Sequence, residues 1–230
     1  MSLTLGVLGA SPAATLDFLA KLQVFTPAKA DHDHIRVLVD LDPRLPHRAA
    51  STGAAASNLA EMAGALHGGG AEALALVTNS GHAAGDLIQR ACGIPLVDMI
   101  GAAASAAGAT GARRVGVLGV RASLRLYHEY LAAQAMGMVA LPADRQEAFV
   151  AVLARLRAGE TGAAMRRQLA DFATELMSEG AEAVIVGSVE AAVVMDTEDF
   201  RVDLIDPTEH LARRCVAVCF GFDPLPAMPG

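Results

Sequence analysis

The sequence has no tryptophan, two tyrosines and seven phenylalanines, so aromatic residues make up 4% of its 230 positions. A core of that composition rests on small aliphatic side chains, and helices can pack close to a sheet. Cysteine is also sparse: Cys92, Cys215 and Cys219 form an odd, scattered set. Such a set argues against a disulfide scaffold and for a reducing, cytoplasmic setting. Positive charge is in deficit, with 18 Lys and Arg against 25 Asp and Glu and a net charge of −7. Nucleic acid is therefore not an expected partner, because phosphate binding needs a basic face. No apolar run approaches about 18 residues, so no membrane span is expected. The amino terminus has no basic n-region, and its apolar residues read as a first strand.

Hydrophobic residues reach 53% and charged ones 19%, the balance of a well-packed globular chain. The length suits one large domain or two of about 110 residues. Leu74-Ala75-Leu76-Val77-Thr78-Asn79-Ser80-Gly81-His82 is an apolar run ending in small polar residues, a glycine and a histidine. It reads as a buried parallel strand that delivers a loop to the carboxyl edge of a sheet, where small-molecule sites form. Val184-Ile185-Val186-Gly187-Ser188-Val189-Glu190 matches it, with Ser188 placed 110 residues after Thr78. The two Gly-Val-Leu-Gly runs, 6–9 and 116–119, show the same offset. Two related halves are expected, with the two hydroxyls facing each other across a cleft.

Along the chain, strands are expected at 3–9, 35–40, 73–78, 94–98, 115–119, 138–141, 183–187 and 202–205. Helical spacing marks 58–67, 101–107, 124–136, 147–156 and 163–179, with Gly68-Gly69-Gly70 and Gly180 as stops. Pro12 and the small residues around it open a first helix, whose apolar positions Leu16, Leu19 and Leu22 fall at helical spacing. The turn after Gly9 lacks both the G-K-[S/T] ending and the full G-x-G-x-x-G, so it is a weak phosphate loop. Asp31-His32-Asp33-His34 invites a metal reading, but alternate side chains of extended chain point to opposite faces. A polar capping loop is preferred there, and no metal is expected. Asp42-Pro43-Arg44-Leu45-Pro46-His47-Arg48 is stiffened by its two prolines, and Arg48 either clamps a carboxylate or is a surface residue. His82 is expected in the first turn of a helix running to about 91, where the helix N-terminus disfavours the cation. It is then a neutral donor to substrate or a capping residue. Cys215 and Cys219, four apart on a helix, are too few for a metal site and suit core positions.

Together these motifs resemble the aspartate/glutamate racemase family, the cofactor-independent one. The resemblance runs through Gly6-Val7-Leu8-Gly9, Thr26-Pro27-Ala28, Asp31…His34, Asp42-Pro43…Pro46-His47-Arg48, Asn79-Ser80-Gly81-His82, Leu118-Gly119…Ser123, Val186-Gly187…Glu190 and Asp206…His210. It implies an α/β fold of two pseudo-symmetric domains, each a mostly parallel sheet flanked by helices, with the active site between them. The expected division is 1–98 with 208–230, and 99–207. In that family both strand-tip loops open with a Cys, one thiolate taking the α-proton and the other thiol returning a proton to the opposite face. Here Thr78 and Ser188 stand at those positions. A hydroxyl is far less acidic than a thiol and needs an adjacent base. Thr78 and Ser188 are thus expected to donate hydrogen bonds to an enediolate-like intermediate rather than to act as bases. His82 and Glu190 are the nearby groups able to serve as bases, and the resemblance makes both supporting residues.

The resemblance also implies substrate contacts from Arg48, Asn79, Ser80 and Ser123, with Arg157 near a basic position for a side-chain carboxylate. Val120 and Val189 replace threonines and remove two hydroxyls from the pocket. The implied activity is racemisation or epimerisation, without cofactor, at the α-carbon of an acidic amino acid or related diacid, in a homodimer. The alternative is an inactive homologue that binds a small dicarboxylate. Lyase or isomerase relatives acting on diacids generally keep at least one of the cysteines.

Overall fold

The computed structural model describes residues 2–45, 53–195 and 203–229. The chain divides into two compact units, Met1–Met99 with Thr208–Gly230, and Ile100–Pro207.

In the first unit the strands are β1 (Leu5–Gly9), β2 (Val37–Leu41), β3 (Ala73–Val77) and β4 (Leu96–Val97). They form a wholly parallel sheet in the order β2-β1-β3-β4. β1 and β3 are buried along their whole length, as expected of central strands covered on both faces. Helices α1 (Pro12–Phe25), α2 (Ala54–Gly68) and α3 (Gly85–Cys92) belong to the same unit. α1 starts on Ser11, whose side chain accepts from the Ala14 N–H, with Pro12 in its first turn. Its buried face is Ala14, Thr15, Phe18 and Leu22, while Leu16 is 65% exposed. Of the leucines at helical spacing, Leu22 is buried, Leu19 half-buried and Leu16 turned to solvent. A helix turns only one stripe onto a sheet, and the stripe carrying the large Phe18 removes more apolar area from water.

α4 (Met99–Ala109) leads into the second unit. There β5 (Arg114–Val117), β6 (Gly137–Val139), β7 (Ala183–Ile185) and β8 (Asp203–Ile205) form a second parallel sheet, in the order β6-β5-β7-β8. Its helices are α5 (Arg121–Ala133), α6 (Ala143–Arg157), α7 (Ala163–Ser178) and the single turn α8 (Val189–Ala192). One core cluster joins Phe149, Leu153, Leu169 and Phe172 of α6 and α7 to Val184. The other joins Ala103, Ala107, Tyr127 and Leu131 of α4 and α5 to Val115, Val117 and Ile185. After β8, α9 (Pro207–Cys219) returns the chain to the first unit. Among the described residues no helix is long and apolar enough to cross a membrane.

The 110-residue offset recurs in three-dimensional detail. Gly6 pairs with Leu74 across β1 and β3, and Gly116 pairs with Val184 across β5 and β7, in the same parallel register. Thr4 and Glu72 share two bonds, Thr4 N–H to the Glu72 carboxylate and Glu72 N–H to the Thr4 carbonyl. Arg114 and Glu182 repeat both. The turns out of α2 and α7 use Gly70 at φ 99° and Gly180 at φ 88°, backbone that favours glycine. A Cβ on Gly6 would lie 3.0 Å from the Ala71 Cβ and 3.3 Å from the Leu66 Cβ; on Gly116 it would lie 3.1 Å from the Ala181 Cβ and 3.0 Å from the Leu176 Cβ. Every pair in this list is 110 residues apart.

Gly6→Ala and Gly116→Ala should each destabilise the protein by about 1–3 kcal/mol through overpacking against backbone-anchored Cβ atoms. Chemical denaturation followed by circular dichroism measures this, and Gly64→Ala, where the new methyl meets nothing within 4 Å, is the control.

Candidate active site

The first strand tip follows β3. Thr78, Asn79 and Ser80 are all buried there. A Cβ on Gly81 would stand 2.6 Å from the Thr78 Cγ2, so only glycine at 81 leaves room for that methyl group. Residues Ser80–Ala84 form a 3₁₀ turn, and α3 starts at Gly85. His82 thus precedes the α-helix instead of lying in its first turn, and the helix-terminus argument does not apply to it. Its Nδ1 lies 2.9 Å from the Thr78 carbonyl oxygen, and the Met99 N–H donates to its Nε2 at 3.2 Å. A backbone N–H can only donate, so Nε2 carries no hydrogen and Nδ1–H donates to Thr78. Both nitrogens are engaged with backbone. His82 ties the strand tip to Met99. Arg48 lies outside the described residues.

The second strand tip follows β7. Ser188 is buried, and its hydroxyl donates to the Glu190 Oε2 at 2.9 Å. Arg157, the last residue of α6, donates from Nε to the Glu190 Oε1 at 2.8 Å. Burial pushes the Glu190 carboxyl up, but the Arg157 guanidinium, the residue's own N–H and the Ser188 hydroxyl together outweigh it and hold the group below its ordinary value. An ionised carboxylate only accepts, so the Ser188 proton points at Glu190 and its oxygen lone pairs point elsewhere. The one proton of the Ser188 hydroxyl is directed to Glu190 in this arrangement. The Arg157 guanidinium also makes Glu190 a weak base for that hydroxyl.

Ser123 is wholly buried, and its hydroxyl faces the carbonyls of Val120 at 2.9 Å and Gly187 at 3.2 Å. It thereby braces the β5 loop against the β7 loop. Val189 is buried beside Ser188, and Val120 is half-buried. Gly119, part of the Leu118-Gly119…Ser123 motif, and Gln146, which escaped the sequence reading, support this brace. A Cβ on Gly119 would stand 2.5 Å from the Ser123 Oγ, so the brace needs glycine there. Gln146 of α6 donates from Nε2 to the Gly119 carbonyl at 2.8 Å. Gly119 and Ser123, four residues apart, stood in one motif of the sequence, but nothing in the pattern announces Gln146.

The remaining candidates have structural uses. Asp33 accepts from the N–H groups of Lys29 and Ala30 at 3.0 Å each, closing the 3₁₀ turn Asp31–Asp33. No group of three or more His, Cys, Asp or Glu residues able to hold a metal ion occurs among the described residues. Cys92, Cys215 and Cys219 are buried free thiols. Burial pushes Cys215 well up, with Cys219 adding to it, and burial with nearby Glu72 pushes Cys219 up to about 12. Neither of these two is a thiolate at neutral pH, and neither can supply the missing strand-tip thiol.

A sequence model described as Asp/Glu/hydantoin racemase matches residues 7–215. The fold is shared with an aspartate racemase of Picrophilus torridus, at TM-score 0.80 and 19% identity, covering 96% of this chain and 95% of that one. An aspartate racemase homologue of Pyrococcus horikoshii gives TM-score 0.76 and 22% identity over 94% and 99%. Glutamate racemase of Francisella tularensis, solved with D-glutamate, gives 0.68 and 18% over 96% and 82%.

His82→Ala should cost about 1–3 kcal/mol of stability by leaving two backbone groups unpartnered, read from urea unfolding midpoints. For Cys219 the folded value, about 12, lies above the ordinary 9.0. Stability it contributes is therefore complete below pH 9 and is lost as pH rises toward 12. Native protein at pH 8 should react with a thiol reagent at least tenfold more slowly than unfolded protein, and Cys219→Ala should flatten the alkaline decline of unfolding free energy.

Proposed function

The chain belongs to the Asp/Glu/hydantoin racemase family, and from that membership we propose that it acts, without cofactor, at the α-carbon of an acidic amino acid or related diacid. One observation carries this reading. The same strand, register and turn recur after 110 residues, which supports reading Thr78 and Ser188 as the counterparts of the family's two proton-transfer thiols. Asn79 and Ser80 are the anion-binding groups of the first tip, together with Arg48. On this reading Ser123 and His82 keep the two tips in shape, and Arg157 acts through Glu190. The free thiols suit the cytoplasm, and the resemblance suggests a homodimer.

Inverting the α-carbon by two-sided proton transfer requires a base on one face to take the proton and an acid on the other to return one. The Ser188 hydroxyl faces a carboxylate that its ion pair holds ionised, which makes it a poor proton abstractor. That single fact favours a second reading, a binder of small dicarboxylates with the racemase fold and no turnover. Deuterium uptake at the α-carbon of D- and L-aspartate and glutamate in heavy water separates the two. Uptake above buffer supports the enzyme; a raised melting temperature with no uptake supports the binder. In either case, restoring thiols with Thr78→Cys and Ser188→Cys together should raise uptake by about 10²-fold or more, the scale of general acid–base catalysis. No ligand-induced stabilisation and no uptake in either protein would reject both readings.

A further inference from the structure

We propose that Glu190 is a positioning residue: it accepts the Ser188 proton, so that Ser188 offers its oxygen to substrate, and Arg157 fixes Glu190 in the orientation that does so. The two bonds that make the chain are short, 2.8 Å from Arg157 and 2.9 Å from Ser188, and they engage different oxygens of one carboxylate. Only 10% of the Glu190 side chain is exposed, so water competes weakly for either bond. α6 is the element packed against α8. Its charged residues are Asp144, Arg145, Glu147, Arg155 and Arg157. Arg145 pairs with Glu175 and Arg155 with Glu160, leaving Arg157 as the α6 cation that reaches Glu190.

The consequence is a choice of substrate group. An oxygen with its proton turned away repels a carboxylate and accepts from a donor such as an ammonium. Ser188 therefore meets the nitrogen of an amino acid, and a diacid without an amine is the poorer ligand. This rests on Ser188 being a site residue, as in the reading above.

The test is a carboxyl ¹³C NMR titration of protein labelled at glutamate Cδ, with the Glu190 signal assigned from Glu190→Gln. The wild-type midpoint should lie below the ordinary carboxylate value. In Arg157→Gln it should rise above that value, because burial is then the larger influence. Ser188→Ala should give a smaller rise, and Ser188→Thr, which keeps the hydroxyl, should restore the wild-type midpoint. Equal midpoints in wild type and Ser188→Ala would overturn the proposal, even if Arg157→Gln fails to fold. Aspartate should also raise the melting temperature more than succinate does, and Glu190→Gln should reduce that difference. If neither ligand shifts melting, the proposed ligand class fails while the titration still decides the role of Glu190.

Discussion

No side chain fits between the central strand of each sheet and the turn that feeds its neighbour. At Gly6 the obstruction is Ala71 and Leu66, and at Gly116 it is Ala181 and Leu176. This close approach sets how far each preceding helix, α2 or α7, lies from the sheet. It also sets the turn through Gly70 or Gly180 and the register of β3 or β7. The registers in turn decide where each strand ends, and hence where Thr78 and Ser188 emerge. The chemistry of both tips depends on one steric constraint written twice.

Strands in matching register then carry different tips, β3 running into a 3₁₀ turn and β7 into the single helical turn α8. The Thr78 tip is held from below, by a histidine bridging its carbonyl to Met99. The Ser188 tip is held from the side, by a carboxylate on its hydroxyl and a guanidinium behind the carboxylate. The first device leaves the threonine hydroxyl unconstrained by His82. The second fixes the direction of the serine proton. A duplicated scaffold has diverged in the groups that orient its reactive atoms, while its strand pairing has not.

The thiols follow the same logic of placement. Cys215 and Cys219 lie in the apolar interior of α9, where burial disfavours the charged form. A thiol there packs as a small apolar group. Reactivity at a strand tip would need an exposed edge and a nearby cation, and no cysteine of this chain occupies one of the two tips.

Much of the fold was legible in the residues alone. The parallel strands, the helices between them and the 110-residue repeat follow from apolar periodicity, glycine stops and a repeated motif, all local patterns fixed by covalent order. The racemase family was legible for the same reason, since its motifs are short and ordered along the chain. Which stripe of α1 turns inward was not, because burial of Phe18 is settled against a sheet that periodicity does not see. Nor were the bond from Gln146 to Gly119, the tautomer of His82, or the direction of the Ser188 proton. Each depends on a partner 17 to 33 residues away, or on a partner whose own charge is set by such a distant residue. Sequence determined which groups stand at the strand tips. Tertiary structure decided which way they point, because hydrogen-bond direction is a property of pairs in space and not of spacing along a chain.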